Sequence, residues 1–171
     1  MIGVFPGTFN PPTTAHLAIA GAAREQHGLD RVDLVVSRRP LGKDHVERPT
    51  LDERVDVLRQ IADRLGWLGV TVSDRQLIAD LAQGYDVVVM GADKWHQIHD
   101  PAFYDDSSAD RDAALARLPR IAVVPRAGLE VPADLLLEID AEHHEVSSTL
   151  ARSGRIDVMV REARESGLWL A

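Results

Sequence analysis

The chain has 171 residues, a formal net charge of −8 and no cysteine. That length fits one domain with a sizeable core, taken here as residues 1–171. The acidic balance excludes general nucleic-acid binding, which needs a basic face. Missing thiols exclude disulfides and thiolate metal sites and fit a cytoplasmic protein.

The apolar start, Met1 to Phe5, reads as a short buried strand, and Gly7 with the prolines after it forces an irregular turn. A helical pattern runs from about Thr13 to His27, with Gly28 as C-cap. Arg31 to Ser37 is a second strand. Thr50-Leu51-Asp52-Glu53 is a capping box opening a helix to about Leu65. Val70 to Ser73 is a short third strand, and a repeat of the capping pattern, Ser73 to Gln76, opens a helix to about Gln83. Tyr85 to Gly91 is a continuous apolar run of the kind a buried parallel strand needs. Asp100 to Ser107 is the longest surface loop, followed by a helix from Ser108 to Leu118. Ile121 to Val124 and Leu135 to Ile139 are two more strands. Helical segments around Ser148 to Arg152 and Arg155 to Glu165 end the chain.

Alternating strands and helices predict an α/β fold: a Rossmann-like, doubly wound, mostly parallel sheet with helices on both faces. Such sheets bind ligands beyond the C-terminal strand ends, where strand order reverses. The strand exits carry the most chemically capable residues: Gly7 to His16, then Ser37 to Lys43, then Gly91 to Trp95, then Ser147 to Arg152. The first of these exits is a strand, a tight loop and a helix start, a common way to build an anion site. Thr13 as N-cap and His16 three residues later fall on one side of the first turn. At the last exit, hydroxyls at a helix start precede the planar fork of Arg152, which suits phosphate oxygens. His96 and His99 have helical spacing, and His143 and His144 are adjacent; neither pair is assigned a ligand.

Gly7, Phe9, Pro11, Thr13 and His16 resemble the G-x-F-x-P-x-[HT]-x-x-H signature of the nucleotidyltransferase superfamily. Thr13 replaces the more usual first His, and Ala15 the usual Gly. Val146 to Arg152 is similar to the [IV]-S-S-T-x-x-R element of adenylyltransferases in that superfamily, and Gly91-Ala92-Asp93 resembles their G-x-D. The joint pattern is closest to the nicotinamide and nicotinate mononucleotide adenylyltransferases.

That resemblance implies adenylyl transfer from ATP, with Mg²⁺ carried by the phosphates and water, onto a phosphorylated small-molecule acceptor. It implies His16, Thr13 and Arg152 as the catalytic groups. Gly7, Thr8, Phe9, Gly91, Asp93, Ser147, Ser148 and Thr149 would hold the nucleotide, and Lys43, Arg54 and Trp95 the acceptor. No protein metal site, nucleic-acid partner or membrane partner is expected; a homo-oligomer is compatible with the sequence. Another phosphorylated acceptor, or nucleotide binding without catalysis, are the competing readings.

Overall fold

The computed structural model describes residues 1–39 and 48–170. Five parallel strands form one sheet: β1 (Ile2–Pro6), β2 (Arg31–Ser37), β3 (Leu68–Ser73), β4 (Val87–Gly91) and β5 (Arg120–Val124), in the order β3-β2-β1-β4-β5. The chain winds outward from β1 in one direction, then returns to its other side with β4. The β1/β4 seam is therefore the point where strand order reverses.

Side chains alternate between the two faces with the period of two that a pleated strand imposes. Phe5, Leu34, Val36, Val87 and Val89 point into one core. Their neighbours Val4, Val35, Val88 and Met90 point into a second core on the opposite face. Helices α1 (Thr14–His27), α2 (Leu51–Leu65) and α7 (Arg161–Ser166) cover the first face, burying Ile19, Leu58, Ile61 and Ala163. Helices α3 (Ile78–Leu81) and α4 (Ala92–His99) cover the second with Ile78, Leu81 and Ile98, and α5 (Ser108–Leu115) packs behind them. Each fully buried aliphatic side chain of this kind stabilises by roughly 1.5–3 kcal/mol.

Local signals govern the helix ends. Gly28 closes α1 with φ 61°, ψ 43°, a left-handed conformation that glycine adopts cheaply. At the start of α2 the Thr50 N–H donates to Glu53 Oε2 at 2.7 Å, and the Glu53 N–H to Thr50 Oγ1 at 3.3 Å. The Arg64 guanidinium of α2 then grips the buried carboxylate of Glu162 on α7 with two nitrogens.

Four sequence expectations are corrected. Leu135 to Ile139 is not a strand. It begins in a 3-10 turn, meets β5 in a single isolated bridge where the Leu137 N–H donates to the Val123 carbonyl, and then turns to α1. There the Gln26 carboxamide takes both backbone groups of Glu138, at 2.6 and 3.0 Å, in place of a ladder. The helix expected from Ser73 shrinks to α3. Ser73 is still sheet, its carbonyl accepting the Arg38 N–H, so it cannot cap a helix. The helix from Ser108 stops at Leu115 rather than Leu118. The last helix begins only at Arg161, because Met159 and Val160 are drawn out to bridge Thr13 and the Pro12 carbonyl. The loop from Asp100 also contains a 3-10 turn, Pro101–Tyr104. No described helix is long and apolar enough to cross a membrane.

Candidate active site

An open cleft of about 1080 Å³ lies over the C-terminal ends of β1, β4 and β5. Its floor is the loop from β1 to α1. The Gly7 N–H donates to the Val35 carbonyl at 3.0 Å, which seats the loop on β2. A Cβ on Gly7 would stand 2.8 Å from the Phe9 ring, so only glycine lets that ring fold under the loop. Phe9 is almost fully buried at φ 45°, edge-on to both Phe5 and His16, with centroids 5.7 and 5.0 Å apart.

His16 is fixed through one ring nitrogen. The Thr13 backbone N–H donates to Nδ1 at 2.9 Å, and the Thr13 hydroxyl lies 2.9 Å from the same atom. A backbone N–H can only donate, so Nδ1 is the acceptor and the ring proton sits on Nε2. Thr13 itself is fully buried. Thr13 thus meets His16 Nδ1 with both its backbone and its hydroxyl.

The far end of the chain completes the cleft. Helix α6 (Ser148–Arg152) docks directly on the early loop: the Ser148 hydroxyl donates to the Pro11 carbonyl at 2.8 Å, and Arg152 donates to the Asn10 carbonyl. Ser147 Oγ accepts the Leu150 N–H, and Thr149 Oγ1 accepts a second Arg152 nitrogen at 3.3 Å. Further along, the Trp169 indole N–H donates to Asn10 Oδ1 at 2.6 Å. Two motifs more than 130 residues apart in sequence therefore share one cleft and hold each other's backbone.

On the β4 side Gly91 and Asp93 line the same cleft. A Cβ on Gly91 would lie 2.6 Å from Asp93 Oδ1, so the glycine leaves room for the carboxylate to fold back. Lys94 follows, its amine donating to Gln97 Oε1, and reaches a second, smaller cavity of about 70 Å³. That cavity adjoins the cleft at Gly7, Thr8 and Lys94, and its walls are chiefly Val35, Leu77, Ile78, Ile98 and Phe103.

The charge of the cleft opposes that of the molecule. Arg48, Lys94, Arg126 and Arg152 line it, together with the imidazoles of His16, His143 and His144, against a single carboxylate, Asp93, among the described residues. Clefts lined by one sign of charge focus the field and concentrate the opposite charge. Mg²⁺ is commonly held by one or two carboxylates together with substrate phosphates, and Asp93 is the carboxylate that the cleft offers among the described residues. Asp140, Glu142 and His143 have ligand atoms within 4.8 Å of one another, but the two acids are solvent-exposed and nothing else there points to an ion.

Of the residues singled out in the sequence, the cleft gathers Gly7, Thr8, Phe9, Thr13, His16, Gly91, Asp93, Ser147, Ser148, Thr149 and Arg152. Two others lie elsewhere. Arg54 is 5% exposed beneath the loop, with one nitrogen donating to the Thr8 carbonyl at 2.6 Å, and it lines neither cavity. The helical period of α2 explains this: Arg54 shares the inward face with Val55, Leu58 and Ile61. Trp95 packs on the second core and against His99, at 4.4 Å between centroids, outside both cavities. His96 and His99 bond to the backbone carbonyls of Glu130 and Trp95. Lys43 lies outside the described residues. Arg48, Arg126 and Asn10 were missed. Arg126 follows an apolar run, Val123-Val124-Pro125, and the strand-exit rule applied to β5 finds it. No local signal marks Asn10, whose importance comes from contacts with Arg152 and Trp169.

A parallel sheet with its cationic cleft at the reversal of strand order, built on this histidine loop, defines a Rossmann-like protein of the nucleotidyltransferase class. The comparisons narrow this further. The chain belongs to the cytidylyltransferase-like family, whose sequence profile matches residues 4–154. It is 40% identical over 58 residues to a probable nicotinate-nucleotide adenylyltransferase of Gloeobacter violaceus, covering 34% of this chain and 28% of that one. A protein of the same description from Geobacter sp. (strain M21) is 37% identical over 76 residues, covering 44% and 34%. The chain therefore spans about a third of the length of these curated relatives. In fold it is similar to the Plasmodium falciparum nicotinic acid mononucleotide adenylyltransferase complexed with APC, with TM-score 0.66, 12% identity, and 98% and 96% of the two chains covered.

Proposed function

We propose that the chain transfers the adenylyl group of ATP to the 5′-phosphate of a pyridine mononucleotide, nicotinate or nicotinamide, releasing pyrophosphate and forming a dinucleotide of NAD biosynthesis. The observation that carries this is the meeting of His16 and Arg152 in one cationic cleft. The acceptor phosphate attacks the α-phosphorus in line, a P–O bond to it forms, and the bond to the pyrophosphate oxygen breaks. No covalent enzyme intermediate is needed, so positioning and charge stabilisation supply most of the rate. Nε2–H of His16 donates to the α-phosphate as charge shifts to the leaving group. Arg152 and the hydroxyls of Ser147 and Thr149 hold the β- and γ-phosphates. Asp93 accepts from the ribose hydroxyls. ATP enters as its Mg²⁺ complex, and the ion offsets phosphate charge. The small apolar cavity beside the cleft suits a flat acceptor ring.

The test is a panel of phosphorylated acceptors offered with ATP and with CTP, read by pyrophosphate release. Turnover with ATP and a pyridine mononucleotide is expected. Turnover only with a different phosphorylated acceptor moves the chemistry to that substrate. ATP binding without turnover on any acceptor overturns the catalytic reading.

A further inference from the structure

Asp33, Arg54 and Glu162 are the buried charges among the described residues; the mechanism above uses none of them, and Asp33 and Glu162 are paired with Arg31 and Arg64. The Arg54 guanidinium donates to the Thr8 carbonyl at 2.6 Å, its Nε has no hydrogen-bond partner, and no carboxylate pairs with it among the described residues. The neighbouring acid, Glu53, is committed to the Thr50 cap and to Arg48. Burial pulls the Arg54 pKa below its ordinary value, the mark of a cation taken out of water. Burying an uncompensated charge is costly, and a neutral donor would satisfy one carbonyl at less cost.

What distinguishes the location is the other side of the peptide. Thr8 lines the cleft, so the guanidinium sits one peptide unit beneath its floor. Protein rather than water separates it from a ligand there, and a field is weakly screened across such a layer.

We propose that Arg54 is a positioning residue of the cleft: through Thr8 it sets the loop, and its charge draws phosphate into the site from below without touching it. This rests on the reading that the cleft takes a nucleoside triphosphate. The anionic ligand is the missing counter-charge, which explains why the cation stands unpaired beneath the loop.

The experiment compares the unaltered chain with Arg54→Met and Arg54→Lys, measuring binding of ATP, inorganic tripolyphosphate and adenosine by calorimetry or competition. One unit charge acting at this depth is worth about tenfold in affinity. Arg54→Met should therefore weaken ATP and tripolyphosphate about tenfold and leave adenosine, which is neutral, within about twofold. Arg54→Lys keeps the charge and should stay within about threefold for all three. A purely structural arginine predicts that adenosine weakens in step with ATP, and that result overturns the proposal. Unchanged tripolyphosphate binding in Arg54→Met overturns it too. If Arg54→Met does not fold, the lysine variant decides: folded yet about tenfold weaker for tripolyphosphate, it refutes a role for the charge. An unaltered chain that binds neither ATP nor tripolyphosphate brings down the functional reading itself, an outcome distinct from both.

Discussion

His16 holds two jobs that separate cleanly by substitution. Its Nδ1 accepts the N–H of Thr13, a residue with no solvent access, and in the proposed reaction Nε2 is the donor to the α-phosphate. His16→Ala removes both. The stranded Thr13 N–H costs roughly 1–3 kcal/mol. For a chain of this size each kcal/mol lowers the melting temperature by about 2–4 °C, so a drop of about 2–12 °C is expected. Loss of the preorganised donor should also cut turnover by at least ~100-fold. His16→Asn differs in one respect: its Oδ1 falls near the position of Nδ1 and can still accept the Thr13 N–H, but nothing reaches as far as Nε2. It should melt within about 2 °C of the unaltered protein and still lose ~100-fold in turnover. Thermal melts and initial rates of pyrophosphate release read the two effects independently. If the asparagine variant melts as low as the alanine one, the tautomer argument fails. If either variant turns over within about threefold of the original, His16 is not the transition-state donor.

Arg126→Ala removes a cation of the cleft wall and should weaken ATP or acceptor binding about tenfold, with the difference shrinking as salt is raised; a salt-independent loss would point to misfolding instead. Glu162→Gln tests the tie between α2 and α7. Burial alone would push the Glu162 carboxyl up, but the hydrogen bonds from Arg64 and its own backbone, with the charges of Arg64 and Arg161, bring it below its ordinary value of 4.5. The stability it contributes is therefore present above pH 4.5 and lost as pH falls through the lower folded value. Urea titrations should show the glutamine variant weaker by about 1–2 kcal/mol near neutrality, since Arg64 is partly exposed, with the gap closing in acid. A constant gap from pH 7 to 3 would count against that assignment. Gly69→Ala places a Cβ 2.0 Å from Asp33 Oδ1, a carboxylate already held by Arg31 and Tyr85. It should cost about 1–3 kcal/mol in urea denaturation, the usual toll of overpacking; a neutral result would show that Asp33 is free to move.

Much of this architecture was written in local patterns. The apolar runs at β1, β2, β4 and β5 and the caps at Thr13, Thr50 and Ser147 need only neighbours in sequence, and they stand where the patterns put them. The cleft was legible because two motifs with specific spacing fall at strand exits. Failures came where a distant partner overrode a local preference. The Gln26 side chain replaces a strand ladder at Glu138, and Pro12 and Thr13 unwind the start of the last helix. Arg54 shows the limit most directly. The resemblance marked it as a substrate contact, but the α2 period placed it inward, where it bonds the Thr8 carbonyl of the folded loop.

The β1–α1 loop is anchored by residues more than 140 positions further along the chain. Met159 bridges Thr13, Val160 bonds Pro12 and Trp169 bonds Asn10, all beyond the stretch common to the family. A nascent polypeptide that has emerged only through Arg152 already contains both motifs yet lacks these three anchors. Shortened versions ending at Gly154 should therefore express as impaired proteins rather than minimal ones.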